Sequence, residues 1–145
     1  FEPAKDEMFY AEKGWGAWQD HAGRLRVSGR GQMNECVFAT GLPFSGHGDL
    51  PATLKDLARV LPGCAGVRRW GAASLDMAYV AAGRFDGFWE RGLSEWDLAA
   101  GMLIVREAGG FAEAIDPEAR ILDTGEIICS NDAMFDPLCK LIRNS

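Results

Sequence analysis

The sequence predicts a single α/β domain, for three reasons. Strand-like and helix-like segments mix along all 145 residues, without an internal repeat or a low-complexity tract. A chain of this length normally forms one domain with a core of its own. Its 48% hydrophobic and 25% charged residues are close to the averages of globular proteins, which argues against wholesale disorder or a fibrous repeat.

The first third of the chain predicts strands. Residues 7–12 suit a strand, Gly14-Trp15-Gly16 provides a turn, and the chain then returns, which indicates a β-hairpin. Residues 24–27 alternate polar and apolar side chains, and residues 36–40 form a short apolar run, so both segments suit strands. The Gly, Pro and Ser residues between positions 41 and 51 predict a loop.

Helical spacing begins after this loop. Residues 53–61 place Leu54, Leu57, Ala58 and Leu61 at helical intervals, which predicts a helix. Residues 72–82 are small and apolar on most faces, which predicts a buried helix. Residues 94–108 form the clearest helix, with a serine N-cap, acids in the first turn and Gly-Gly at the end. The other predicted elements are strands at 86–90, 111–115 and 126–130 and a helix from Asp132 or Asp136 to Ile142, with Pro137 in its first turn.

The charge balance and the cysteines argue against several classes of function. The 15 Lys and Arg and 21 Asp and Glu give a net charge of −6, which disfavours binding to nucleic acid or to an anionic membrane. No apolar run approaches the ~20 residues that span a bilayer. Four cysteines without a Cys-x-x-Cys pair indicate reduced thiols in a cytoplasmic protein. His21 and His47 lack metal-ligand spacing, so we expect both on the surface.

Two acidic residues flank a short loop in the most informative stretch of the sequence. Glu90 ends a predicted strand, and Asp97 lies in the first turn of the next helix. The helix dipole and the free N–H groups there favour an ionised carboxylate, which is a good ligand for Mg²⁺. However, Ser94-x-x-Asp97 before an apolar run is also a capping box, and spacing alone favours this structural role.

A second candidate site precedes the buried helix. Arg68 and Arg69 stand before Gly71-Ala72-Ala73, where free N–H groups and a guanidinium could bind a hydroxylated or phosphorylated ligand. The alternative is a solvated pair of arginines at a strand edge beside a simple turn. Asp76 lies inside the apolar helix, and we expect it to be buried, structural and hydrogen-bonded.

Several motifs together resemble the C-terminal half of the inositol monophosphatase family, in its bacterial form. The Trp-Asp-Leu-Ala-Ala-Gly motif is highly specific, and the resemblance covers nearly the whole chain. It favours a metal role for Asp97 in addition to capping. The matching segments are residues 9–18, 39–44, 71–84, 86–90, 96–101 and 105–110.

The resemblance implies a Mg²⁺-dependent phosphatase with a layered α-β-α-β-α fold, usually a homodimer. Its reaction would be hydrolysis of a phosphate monoester of a small polyol, with inositol monophosphate as the first candidate, by a metal-activated water. On this resemblance Asp97 binds Mg²⁺ and a substrate hydroxyl, and Glu90 contacts the polyol ring. The resemblance also assigns substrate-binding roles to Arg68, Gly71 and Ala73.

The family's other metal ligands are absent from this chain. They are an upstream Glu and an Asp-Pro-(Ile/Leu)-Asp-Gly-Thr motif, and neither Asp116-Pro117 nor Asp136-Pro137 continues in that way. Because one carboxylate cannot hold two Mg²⁺ ions, we expect the chain alone to be inactive. We expect residues 1–145 to be one domain, the C-terminal half of a longer protein whose N-terminal half supplies most of the metal site.

Two alternatives to this function remain open. The first is a non-catalytic binding or assembly module that keeps the phosphatase fold. The second is a sibling phosphatase that acts on histidinol phosphate, fructose bisphosphate or a phosphoadenosine nucleotide. Glu90 and its following loop favour the inositol-like branch.

Overall fold

The computed structural model describes residues 1–46 and 48–144, so the expectation for His47 lies outside the described residues. Strands and helices mix along the chain, as predicted. The strands are β1 (Phe9–Glu12), β2 (Gly16–Gln19), β3 (Gly23–Arg24), β4 (Val37–Thr40), β5 (Gly66–Arg68), β6 (Gly87–Glu90), β7 (Phe111–Glu113) and β8 (Ile127–Ser130). The α-helices are α1 (Leu50–Val60), α2 (Ala73–Ala81), α3 (Glu95–Glu107), α4 (Ile121–Thr124) and α5 (Asp132–Arg143).

The predicted hairpin at the start of the chain is confirmed. Strands β1 and β2 pair antiparallel with Tyr10 opposite Trp18, and β3 pairs with β2. The predicted strand over residues 24–27 ends after Arg24. The reason is that the backbone N–H of Val27 donates to the carbonyl of Ala108 at the end of α3, which draws the chain away from the sheet.

A second sheet has the strand order β5-β4-β6-β8-β7. Strand β4 runs parallel to both β5 and β6, whereas β8 is antiparallel to β6 and β7. Side chains alternate between the two faces of a strand, and both faces of this sheet are buried. Phe88 and Cys129 pack into one core, and Trp89 and Ile128 pack into the other.

The elements stack in four layers. Helices α2 and α3 lie between the two sheets, and Phe9, Met77 and Phe88 belong to the core that joins these layers. Helices α1 and α5 cover the opposite face of the larger sheet. Gly101 lets α3 approach α2 closely, because a Cβ at this position would press against the Met77 side chain. The predicted layered α/β class is confirmed.

Helix α1 confirms the helix predicted over residues 53–61, but two of the leucines that indicated it face solvent. Leu54 is 54% exposed and Leu61 is 49% exposed, whereas Thr53, Asp56 and Val60 are buried. Buried polar partners explain this orientation, since Asp56 is paired with an arginine and the Thr53 hydroxyl donates to the Asp49 carbonyl.

The position of Pro137 is also corrected. It lies inside α5 and not in the first turn, because Asn131 caps this helix through an N–H donated by Met134 at 2.9 Å. Among the described helices, none combines the length and apolar character that crossing a bilayer requires.

A buried carboxylate fastens the segment between β3 and β4 to the larger sheet. Asp86 has no exposed surface and accepts hydrogen bonds from the Ser28 hydroxyl, the Arg30 Nε at 2.7 Å and the Val37 N–H at 2.8 Å. Asn131 extends this network by donating to the Ser28 hydroxyl at 2.9 Å.

We predict that Asp86→Ala destabilises the chain by about 3 kcal/mol or more, because it leaves buried donors without an acceptor. Urea denaturation followed by circular dichroism would measure this loss. Asp123→Ala is the control, since its contact with Arg120 is solvent-exposed at 3.9 Å and should contribute less than about 1 kcal/mol. Equal losses in both variants would contradict the prediction.

Candidate functional site

The candidate site lies where parallel strands end at one edge of the larger sheet. Because β4 is parallel to both β5 and β6, the residues that follow or end these strands meet at the same edge. They are Gly41, Arg69 and Glu90. The first turns of α2 and α3 close the space above them and leave a cavity of about 430 Å³. Ligand sites of α/β proteins commonly occupy this position.

Most of the residues singled out in the sequence line this one cavity. Gly71, Ala73, Glu90 and Asp97 all contribute to its wall. Arg68 does not, because it lies at the end of β5 with its Nη1 directed to the Val67 carbonyl at 3.3 Å. The next residue, Arg69, lines the cavity in its place.

Asp97 caps helix α3 and also faces the cavity. Its Oδ2 accepts a hydrogen bond from the Ser94 backbone N–H at 3.0 Å, so the capping role expected from the sequence is present. This bond uses one lone pair of the carboxylate, and the side chain remains partly exposed. Capping therefore does not prevent the same group from binding a ligand.

Glu90 is held tightly at the end of β6. A Cβ on Gly41 would overlap the Glu90 carboxylate, so the glycine leaves room for this side chain in its observed position. Burial and, to a smaller extent, the charge of Asp97 raise the pKa of Glu90 to about 7, although Arg69 opposes both effects.

Asp76 is a third carboxyl group on this cavity. Its side chain is buried as predicted, but its Oδ1 has no hydrogen-bond partner within residues 1–46 and 48–144, contrary to the expected bonding. Burial raises the pKa of Asp76 to about 7, with a further contribution from Glu90 and an opposing one from Arg69. A buried carboxyl without a partner is rare in folded proteins and is a candidate for ligand contact.

The start of α2 adds hydrogen-bond donors to the site. Its N-cap is Ala72, which has no side chain able to accept from the first N–H groups of the helix. These groups and the Arg69 guanidinium border the same cavity as the carboxylates. The cavity thus combines donors for an anion with acceptors for hydroxyl groups.

A second cavity of about 330 Å³ adjoins the first. Both cavities are bordered by Glu90 and Asp97, and the second extends between the 41–44 segment and Arg91. The two carboxylates therefore stand at the centre of a two-lobed cleft.

The sequence analysis did not place Gly41 or Asp76 in this site, and of the candidate pair Arg68 and Arg69 the family resemblance selected Arg68. The glycine directly after a strand was a usable signal for Gly41. Arg69 stood beside the chosen arginine, and only the alternation of side chains along β5 distinguishes the two. For Asp76, an acid in an otherwise apolar helix was the signal, but its missing partner was visible only in three dimensions.

The cavity residues do not form a complete metal site. Within the described part of the chain, no three or more His, Cys, Asp or Glu side chains are arranged to hold a metal ion. Asp97 suits Mg²⁺ as one oxygen ligand, since that ion usually binds one or two carboxylates together with water and phosphate oxygens.

Comparison with known proteins gives one consistent result. The family model described as the inositol monophosphatase family matches residues 1–145. An inositol-1-monophosphatase of Rhizobium meliloti is 46% identical over 143 residues, which are 99% of this chain and 53% of that protein. A Pseudomonas aeruginosa protein named Nus factor SuhB is 44% identical over 144 residues, covering 98% of this chain and 53% of that protein.

Solved structures agree with these relatives. The extragenic suppressor protein suhB from Bartonella henselae superposes with a TM-score of 0.94 at 42% identity, over 100% of this chain and 56% of that one. The inositol monophosphatase from Anabaena gives 0.90 at 33% identity, over 99% of this chain and 58% of that one. The chain spans about half the length of the relatives it matches. Since the family model matches its full length and the fold agrees with these structures, the chain belongs to the inositol monophosphatase family, a family of phosphatases.

Proposed function

We propose that this chain is the C-terminal half of a phosphatase that hydrolyses a phosphate monoester of a small polyol, with inositol monophosphate as the first candidate. The observation that carries the proposal is the single cavity that holds Glu90, Asp97 and the uncapped start of α2. Donors for an anion and acceptors for hydroxyl groups are what a phosphorylated polyol requires.

Each cavity residue has a role in this proposal. Asp97 is one ligand of Mg²⁺ and accepts a substrate hydroxyl, and Glu90 accepts hydroxyls of the polyol ring. Gly71 and Ala73 present backbone N–H groups at the start of α2. The substrate-binding role that the resemblance assigns to Arg68 is here assigned to Arg69, which lines the cavity. When bound, Mg²⁺ polarises the phosphoryl group and favours ionisation of a bound water.

The raised pKa values suit an anionic substrate. With pKa values of about 7, Glu90 and Asp76 are partly protonated near neutral pH. A protonated carboxyl can donate a hydrogen bond and does not repel a phosphate. Arg69 further reduces the negative potential in the cavity. The site can therefore hold a dianionic phosphate beside a carboxylate at position 97.

Exposed apolar surfaces support a longer protein. Met8 is 42%, Tyr10 is 51% and Trp15 is 73% exposed on the hairpin, and Trp96 beside the site is 82% exposed. Large apolar side chains exposed in such number are typical of surfaces that another element covers. We propose that an N-terminal half supplies this cover as a further layer of helices, together with the missing metal ligands.

The remaining proposals concern partners and location. Exposed Leu50, Leu54 and Leu61 along α1 form an apolar stripe that suits the interface of a homodimer.

The four cysteines carry free thiols, which is typical of the cytoplasm. A net charge of −6 gives no support for a nucleic-acid or membrane partner.

The first prediction concerns Asp97 in the longer protein that contains this chain. With Mg²⁺ and inositol monophosphate, we expect phosphate release by the wild type and a loss of about 100-fold or more in Asp97→Asn, because the variant weakens a charged metal ligand. Glu95→Gln, in the same helical turn but exposed, should keep near-normal activity. A folded but inactive wild type would favour the binding or assembly module, and full activity of Asp97→Asn would refute the assigned role.

The second prediction concerns pH and the stability of this chain. The pKa of Asp76 rises from its ordinary 3.8 to about 7 on folding, so the folded chain binds more protons within that window. Its free energy of unfolding therefore falls as pH rises through the window. Asp76→Asn should raise Tm by several degrees at pH 8 and change it little at pH 4. An equal shift at both pH values in thermal denaturation would contradict this.

The third prediction concerns the layer that we propose covers the hairpin in the longer protein. Hydroxyl-radical oxidation of Met8, Tyr10 and Trp15 should slow several-fold when the chain is part of the longer protein, because these side chains become buried. Phe111, which is 44% exposed on strand β7, is the internal control and should react at the same rate. Unchanged rates at the hairpin would argue against a covering layer.

A further inference from the structure

The loop of residues 91–94 connects the two central carboxylates of the cleft. It begins directly after Glu90 at the end of β6 and leads into α3, whose first turn carries Asp97. The conformation of this loop is therefore coupled to the position of both groups.

Arg91 ties this loop to two other elements. Its Nε donates to Asp56 Oδ2 at 2.9 Å and its Nη2 to Asp56 Oδ1 at 3.2 Å, a two-pronged contact with helix α1. Its Nη1 lies 3.6 Å from Glu126 Oε1, just before β8. The Arg91 side chain is 16% exposed and that of Asp56 only 1% exposed, so solvent hardly weakens this pair.

The charge on Arg91 is stable in this setting. Burial lowers the pKa of the guanidinium, but hydrogen bonds and charge attraction from Asp56, with smaller effects of Glu126 and Asp49, leave the pKa above its usual value. Two parallel hydrogen bonds between a guanidinium and a carboxylate fix the orientation of the two side chains as well as the distance between them.

Further contacts hold the rest of the loop. The Leu93 N–H donates to the Gly125 carbonyl at 2.9 Å, next to Glu126. Gly125 has a φ of +70°, and a Cβ there would overlap the Leu93 carbonyl oxygen, so the two turns approach as closely as a glycine permits. Arg91 and Leu93 thus attach the loop to the same neighbouring turn.

We propose that Arg91 is a positioning residue: together with Asp56 and Glu126 it holds the 91–94 loop so that Glu90 and Asp97 face one cavity. Arg91 itself borders the adjoining cavity, beside both carboxylates. Its effect on catalysis rests on the proposed phosphatase function, whereas its effect on the loop does not.

The test compares Arg91→Met with Arg143→Met. Arg143 is a matched control, since it is also largely buried and binds Glu113 at 2.8 Å and the Ile115 carbonyl at 2.9 Å, but lines neither cavity of the cleft. Amide hydrogen exchange in this chain should be about tenfold faster at Leu93 in Arg91→Met, relative to the buried Ile128 amide, because the loop opens locally. In Arg143→Met this ratio should remain that of the wild type.

The catalytic readout uses the longer protein. We expect kcat/KM to fall about 10- to 100-fold in Arg91→Met, as for other contacts that orient a metal ligand, and less than about threefold in Arg143→Met. If Arg91→Met does not fold, Arg91→Lys replaces it. That variant keeps the charge without the two-pronged contact and should accelerate Leu93 exchange by about threefold.

The outcomes separate the positioning role of Arg91 from the proposed phosphatase function. Unchanged Leu93 exchange would overturn the role of Arg91 whatever the activity. Faster exchange with unchanged kcat/KM would show a structural tether and also overturn it. An inactive wild type would instead refute the proposed phosphatase function, and the exchange data would still decide whether Arg91 holds the loop.

Discussion

Parallel pairing of β4 with β5 and β6 is the constraint on which the rest of the site depends. It brings the carboxyl ends of three strands to one edge, where no further strand residue fills the space. The first turns of α2 and α3 begin at this edge, so two helix N-termini face the same cavity. Any ligand that combines an anion with hydroxyl groups finds its complementary groups there.

The second principle is charge balance in a half-buried cleft. Asp76, Glu90 and Asp97 share one cavity with the Arg69 guanidinium. Burial and the charge of a neighbouring carboxylate raise the pKa values of Asp76 and Glu90 to about 7, and Asp97 lies in the first turn of α3. Folding therefore gives three similar carboxyl groups different surroundings, and the raised pKa of Asp76 lowers the free energy of unfolding at high pH.

Incompleteness is a property of both the surface and the site. The hairpin sheet exposes aromatic side chains on the face that α3 does not cover, and the cleft has too few ligands for a metal ion among the described residues. Both features agree with a chain that spans about half the length of its relatives. Inside the chain, by contrast, buried ion pairs such as Arg91 with Asp56 connect the site firmly to the outer helices.

Local sequence determined the elements that depend on neighbouring residues: the hairpin around Gly14 and Gly16, helices α2 and α3, and the pairing of Ser94 with Asp97 at a helix start. The family motifs likewise marked Glu90 and Asp97. Tertiary structure alone decided which side chains face the cavity. It placed Arg69 there rather than Arg68, left Asp76 Oδ1 without a hydrogen-bond partner among the described residues, and turned Leu54 outward where Asp56 meets Arg91. The reason is physical: the orientation of a strand or helix depends on partners distant in sequence, whose charges and volumes no local pattern contains.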